Sequence, residues 1–269
     1  MLELEEITKV YTRGFLRRQK TVAVNNVSLS IKRGKTLGLV GESGSGKSTL
    51  GRIALRLIEP TSGTVRFDGI YLTGLSRSEL RKLRPRMQIL FQDPDTSLDP
   101  RMTIRECVAE PLIISNRAGP DEMEERILDL LGRVGLQPDL IDRYPFEISG
   151  GQKQRVALAR VLSLDPEFIV ADEPTAALDL SVQAQVLSLI KSIQKKSNLT
   201  ILFISHDLQV VEQMSDTIAV MHHGSIVEQG SPHDILHTPM DSYTRTLVSA
   251  AYESDAWLGK ITDPRALLP

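Results

Sequence analysis

The chain is poor in cysteine. Cys107 is the only one among its 269 residues. A lone thiol cannot close an internal disulfide or supply the several sulfur ligands of a cysteine-held metal centre, and this usage suits a reducing compartment. Long apolar runs are missing too. No stretch approaches the ~18 residues a membrane-crossing helix needs, so a role at a membrane is expected to come through a partner. Charge of one sign is also lacking: 32 Lys and Arg stand against 34 Asp and Glu, a net charge of −2. That balance argues against a nucleic-acid backbone as the main partner. There is no internal repeat, no low-complexity tract and no sustained heptad pattern. The opening MLELEEITKVY is acidic and alternating, unlike a signal peptide.

What is present suits one large globular domain or a domain carrying an inserted subdomain, with 41% hydrophobic and 25% charged residues. LELEEI and Ala23–Ile31 alternate with period two and predict half-buried strands. The basic stretch between them, YTRGFLRRQK, predicts an exposed loop or a hairpin tip. Short apolar runs at Thr36–Val40, Gly63–Gly69, Met87–Gln92, Glu167–Glu173 and Leu199–Ser205 predict strands, and two more surround DTIAVMHHGSIVEQG. Helical periodicity follows several of them, in TLGRIALRLI, Asp121–Leu136 and SVQAQVLSLIKSIQKK. Strands alternating with helices predict an α/β fold on a parallel sheet. Between Asp93 and Glu147 the pattern is mostly helical, as in an inserted subdomain. Beyond Ser231 two short helices and a tail are expected.

Gly41-Glu-Ser-Gly-Ser-Gly-Lys47-Ser48 lies between a predicted strand and a predicted helix, the setting of a P-loop. Its glycines let backbone N–H groups around Ser43, Gly44, Ser45 and Gly46 cradle phosphate oxygens. Lys47 reaches the β- and γ-phosphates, Ser48 offers a hydroxyl to Mg²⁺, and the helix running on through Thr49 adds its positive dipole end. Phe168-Ile-Val-Ala-Asp172-Glu173 ends a buried strand on two carboxylates, where ligands bind in parallel sheets. Asp172 suits the Mg²⁺ shell, and Glu173 can hold a water and take its proton. Gln92 and His206 follow two further apolar strands and are candidates for the metal, a water or the γ-phosphate. Tyr11 is a candidate to stack on adenine.

One segment has no chemistry of its own: Ser149-Gly150-Gly151-Gln152 opens a helix on two glycines. The P-loop, Gln92, this SGGQ segment, Asp172-Glu173, the Ala177-Leu-Asp179 turn and His206, in this order, resemble the ATP-binding subunit of an ABC transporter over residues ~1–230. The resemblance implies a P-loop NTPase fold: a RecA-like parallel core with an antiparallel β subdomain (1–92 and 148–230), a helical insert (93–147) and a short extension (231–269). It implies ATP and Mg²⁺ as ligands. It also implies a dimer in which SGGQ of one copy seals ATP held by the other's P-loop, with bare backbone at Gly150 and Gly151 meeting the γ-phosphate. Asp179 is then expected at the dimer seam. Where the family often has Ser, this chain has Ala177.

Phe91–Ile104, Ala109–Leu112, RYPFEISGGQKQR and the Pro239–Arg245 element resemble the oligopeptide, dipeptide and nickel importers. That resemblance implies a second ATPase subunit, paralogous or identical, two membrane permeases and an external binding protein. Its place would be the cytoplasmic face of the membrane. With Cys107 alone, no iron–sulfur cluster is expected. His222, His223, His233 and His237 are expected to be solvated rather than metal ligands. A non-transport ABC ATPase of DNA repair or translation is the alternative, disfavoured by the missing heptads and second cassette. A GTPase is disfavoured by the lack of Asn-Lys-x-Asp.

Overall fold

The computed structural model describes residues 1–13, 19–117 and 119–251. Most of the basic Arg13–Lys20 stretch and the tail after 251 lie outside them. Among the described residues ten strands form two sheets. The first is antiparallel, with order β2-β1-β4-β5, from β1 (Leu2–Arg13), β2 (Gln19–Ile31), β4 (Ser62–Phe67) and β5 (Ile70–Tyr71). The second has order β10-β9-β3-β8-β7-β6. Its parallel strands are β3 (Thr36–Val40), β6 (Met87–Leu90), β7 (Phe168–Asp172), β8 (Thr200–Ile204) and β9 (Thr217–His222). The edge strand β10 (Ser225–Gly230) runs antiparallel to β9.

Periodicity and topology agree. β3, β7 and β8 are buried at every residue, as central parallel strands covered on both faces must be, and their sequences are continuous apolar runs. One apolar cluster lies between the sheets. It joins Leu4, Ile7 and Val65 to Leu37, Leu50, Ile53 and Phe168 through α1 (Lys47–Ala54). A second cluster lies on the other face. It unites the helices of the 93–147 stretch, α3 (Ile104–Ile114) and α4 (Pro120–Arg133), with α5 (Gly150–Leu162) and α6 (Leu180–Ser197). The 93–147 stretch therefore shares its core with α5 and α6.

Several elements differ from the sequence expectation. β1 runs on to Arg13 and β2 starts at Gln19, so that Arg13 pairs with Gln19 across the basic stretch. α2 (Arg77–Leu83) has a capping box between Ser76 and Glu79. The two-residue β5 is too short for a periodic signal. α1 stops at Ala54, four residues before the apolar pattern ends, because Arg56 turns left-handed at φ 54°.

In α3 an interior proline, Pro111, removes the N–H that would bond the carbonyl of Cys107. Arg160 of α5 replaces that donor, with its guanidinium 2.8 Å from the Cys107 carbonyl and 2.5 Å from Glu110. The helix thus crosses the proline without leaving a buried acceptor unpaired. The remaining helices are α7 (Leu208–Met214) and α8 (Pro232–His237), and residues 242–251 are helical. No helix among the described residues is long and apolar enough to cross a membrane.

Candidate nucleotide site

Loops at the carboxyl ends of β3, β7 and β8 converge on one crevice. Gly46 caps α1 in a left-handed conformation at φ 109°, and a Cβ there would lie 2.1 Å from the Ala23 carbonyl of β2. Only glycine lets the antiparallel sheet approach the loop so closely. Gly44, at φ 80°, has open space where a side chain would stand, so its backbone is bare to an incoming ligand. α1 has neither a side-chain cap nor an acid in its first turn. Its leading amides and dipole are therefore free for an anion.

Lys47 is buried, and its ammonium donates to the carbonyls of Gly41 at 2.7 Å and Glu42 at 2.8 Å. Burial lowers its pKa, while Glu173, Asp172 and Glu42 pull the other way. Ser48 donates its hydroxyl to Asp172 at 2.9 Å. Burial pushes the Asp172 carboxyl up, partly offset by that hydrogen bond. A hydroxyl beside a carboxylate is a hard oxygen pair of the kind magnesium takes, so these residues fit that ion.

Glu173 follows β7 with φ 49°, an uncommon conformation for a side-chain-bearing residue, held by its N–H donating to the Ile204 carbonyl at 2.9 Å. His206 Nδ1 lies 3.2 Å from Glu173 Oε2. Both groups named from the ends of β7 and β8 thus meet. Gln92 does not join them. β6 ends at Leu90, so Gln92 is exposed in the bend two residues beyond the strand rather than closing it. Tyr11 is exposed on β1, opposite Thr21 of β2, with the Lys9 ammonium 5.2 Å from its ring centre. Thr49 is half-buried in α1.

Ser149 and Gln152 form a reciprocal capping box: the Gln152 N–H donates to Ser149 Oγ at 3.3 Å and the Ser149 N–H to Gln152 Oε1 at 2.9 Å. The two glycines part company. A Cβ on Gly151 would lie 2.3 Å from Val182 Cγ1 of α6, whereas one on Gly150 would meet only Leu178, at 3.6 Å. The missing side chain of Gly151 is thus needed by packing within the chain, whereas that of Gly150 leaves its surroundings open. Asp179, expected at a seam, caps α6 by accepting the amides of Ser181 and Val182. It remains exposed beside Leu180, which is 84% exposed.

Sequence reasoning missed two links. Lys153 pairs with Asp95 at 2.8 Å, and buried Gln154 donates to the Phe91 carbonyl at 3.4 Å, so α5 holds both sides of Gln92. His222 is half-buried rather than fully solvated: it stacks on Tyr243 with ring centres 3.7 Å apart. His223, His233 and His237 are exposed, and no cluster of three or more metal-ligating side chains occurs among the described residues.

A cavity of about 1180 Å³ lies apart from the residues of this crevice. It sits between α2, α3 and α5, with Arg77, Arg81, Lys82 and Arg160 around Ile89, Phe91 and Ile114.

The chain is 46% identical over 255 residues to an oligopeptide transport ATP-binding protein of Bacillus subtilis, covering 93% of this chain and 78% of that one. It is 45% identical over 261 residues to a dipeptide transport ATP-binding protein of Lactococcus lactis, covering 95% and 82%. The ATP-binding cassette MJ0796, solved as a dimer in a post-hydrolysis state bound to ADP and Pi, superposes with a TM-score of 0.78. It has 34% identity and covers 86% of this chain and 99% of that one. The ABC transporter profile matches residues 24–176, which carry the lysine loop, the capping box of α5 and the two acids after β7, and the chain belongs to the ABC transporter family.

Proposed function

We propose that this chain is the ATP-hydrolysing subunit of an ABC importer for peptides. It would work with a second ATPase subunit, identical or paralogous, and with two membrane permeases fed by an external binding protein. Its place is the cytoplasmic face of the membrane. The observation that carries the hydrolytic reading is Glu173, strained at the end of β7 and 3.2 Å from His206, beside the Ser48–Asp172 pair.

Lys47 leaves the carbonyls of Gly41 and Glu42 for the β- and γ-phosphate oxygens, and the amides from Ser43 to Ser48 enclose them. Ser48 and Asp172 would hold a magnesium ion, with Gln92 reaching it only if the bend after β6 moves toward the crevice, and that ion would supply charge neutralisation for the phosphates. Glu173 takes a proton from the attacking water, and His206 fixes that carboxylate and meets the γ-phosphate. Tyr11 stacks on the adenine. Ser149 and the backbone N–H groups of Gly150 and Gly151 seal the nucleotide of the partner copy, and Asp179 lies at the seam between them. The γ-phosphate favours the closed pair, and its loss reopens it. The basic-rimmed groove beside Phe91 receives cytoplasmic loops of the permeases, and the ties from α5 to Asp95 and Phe91 carry closure to it.

The test is ATP turnover by the purified chain together with its recovery from detergent extracts. The reading expects magnesium-dependent release of phosphate and salt-stable co-purification with integral membrane proteins. A chain that neither hydrolyses ATP nor holds membrane partners contradicts it.

A further inference from the structure

The Pro239–Arg245 element ends at the nucleotide loop. Glu228 of β10 accepts the amides of Met240 at 2.8 Å and Asp241 at 3.1 Å. Asp241 in turn accepts the amide of Tyr243 at 2.8 Å, which starts the helical stretch 242–251. Arg245 closes the turn onto the carbonyls of Pro239 and Met240, and Val248 anchors the helix in the apolar core. Fixed at both ends, the segment lays the Tyr243 ring flat on His222, at an interplanar angle of 8°. The Tyr243 hydroxyl then accepts the N–H of Glu42, the second residue of the P-loop, at 3.1 Å. Burial raises the pKa of this phenol, so it stays neutral in ordinary buffers.

Glu42 is thus gripped twice, its amide by Tyr243 and its carbonyl by Lys47. When the lysine turns to phosphate, the tyrosine keeps its hold. We propose that Tyr243 is a positioning residue of the nucleotide site. It holds the entry of the P-loop in its phosphate-ready curve, and it makes the C-terminal segment part of that site. The inference rests on the reading that ATP binds this loop.

The test is Tyr243→Phe in the full chain, which keeps the ring stack and removes only the hydroxyl. The measurements are ATP affinity, KM, kcat, Tm and amide exchange at Glu42. One neutral hydrogen bond corresponds to a rise in Kd and KM of about two- to tenfold. The expected pattern is that rise with kcat within about twofold, faster exchange at Glu42 and nearly the same Tm. Glu228→Ala, which frees the turn from a distance, is expected to raise KM in the same direction by less. Wild-type affinity and wild-type exchange at Glu42 in the Phe variant would overturn the proposal. So would a loss confined to kcat, or a loss that merely follows a lowered Tm. A wild-type chain that fails to bind ATP refutes the functional reading instead, and exchange at Glu42 still reports the contact by itself.

Discussion

The Nδ1 of His206 lies 3.2 Å from Glu173 Oε2, which joins the ends of two adjacent parallel strands across the crevice. The backbone of Glu173 holds φ 49° to place its carboxylate there. Glu173→Gln keeps the size of the side chain and removes its basicity. Hydrolysis is expected to fall by about 10²-fold or more, the usual contribution of a general base. ATP affinity is expected to hold, as an equilibrium titration beside steady-state turnover would show. Loss of both together would place Glu173 in binding instead.

The glycines at 150 and 151 predict opposite outcomes. Gly151→Ala drives a methyl into Val182, and overpacking of this kind costs about 1–3 kcal/mol. Val182→Ala in the same chain is expected to restore most of it. Gly150→Ala has room and is expected to leave stability within about 0.5 kcal/mol, while lowering turnover because a Cβ then stands where phosphate approaches. Chemical denaturation paired with turnover separates the two.

The crevice was largely legible because its parts are local. The lysine loop, the acids after β7 and His206 after β8 each sit at the end of an apolar run, and parallel strands bring such ends together. The missed features are relations between distant residues. Tyr243 and Glu42 are 201 positions apart, and no periodicity announces their contact. Gly151 reads the same in sequence whether a ligand or Val182 occupies its missing side chain. Arg160 completing the broken helix at Pro111 is a tertiary compensation, invisible until α5 packs on α3.

The join between the sheets predicts acid sensitivity. Arg33 and Arg86 bridge Asp68, after β4, to Glu167, before β7. Hydrogen bonds from Arg86 and then Arg33 hold the Asp68 carboxyl below its ordinary range, and Arg86 does the same for Glu167. A depressed folded-state pKa gives stability that is present above the ordinary carboxylate range and lost as pH falls through the depressed value. The groups are partly exposed, so the effect is expected below about 1 kcal/mol per pair. Glu167→Gln is expected to lower Tm at pH 7 and to match the wild type at about pH 2. A difference that persists in acid would point to packing.

The groove beside Phe91 carries Arg77, Arg81 and Lys82 on α2, none of them among the residues of the nucleotide crevice. Arg81→Glu with Lys82→Glu is expected to leave ATP affinity of the isolated chain unchanged, while cutting co-purification with integral membrane proteins. A pull-down from detergent extract, run beside nucleotide titration, checks this. Unchanged recovery of membrane proteins would move the proposed docking surface elsewhere.

A crystal structure of Glu173→Gln trapped with ATP and magnesium shows whether nucleotide is shared between two copies. The γ-phosphate is expected within hydrogen-bonding distance of Lys47 in one protomer and of Ser149 and the Gly150 and Gly151 amides in its mate. ATP held by the lysine loop alone, with both capping boxes facing solvent in a closed pair, would contradict that sharing.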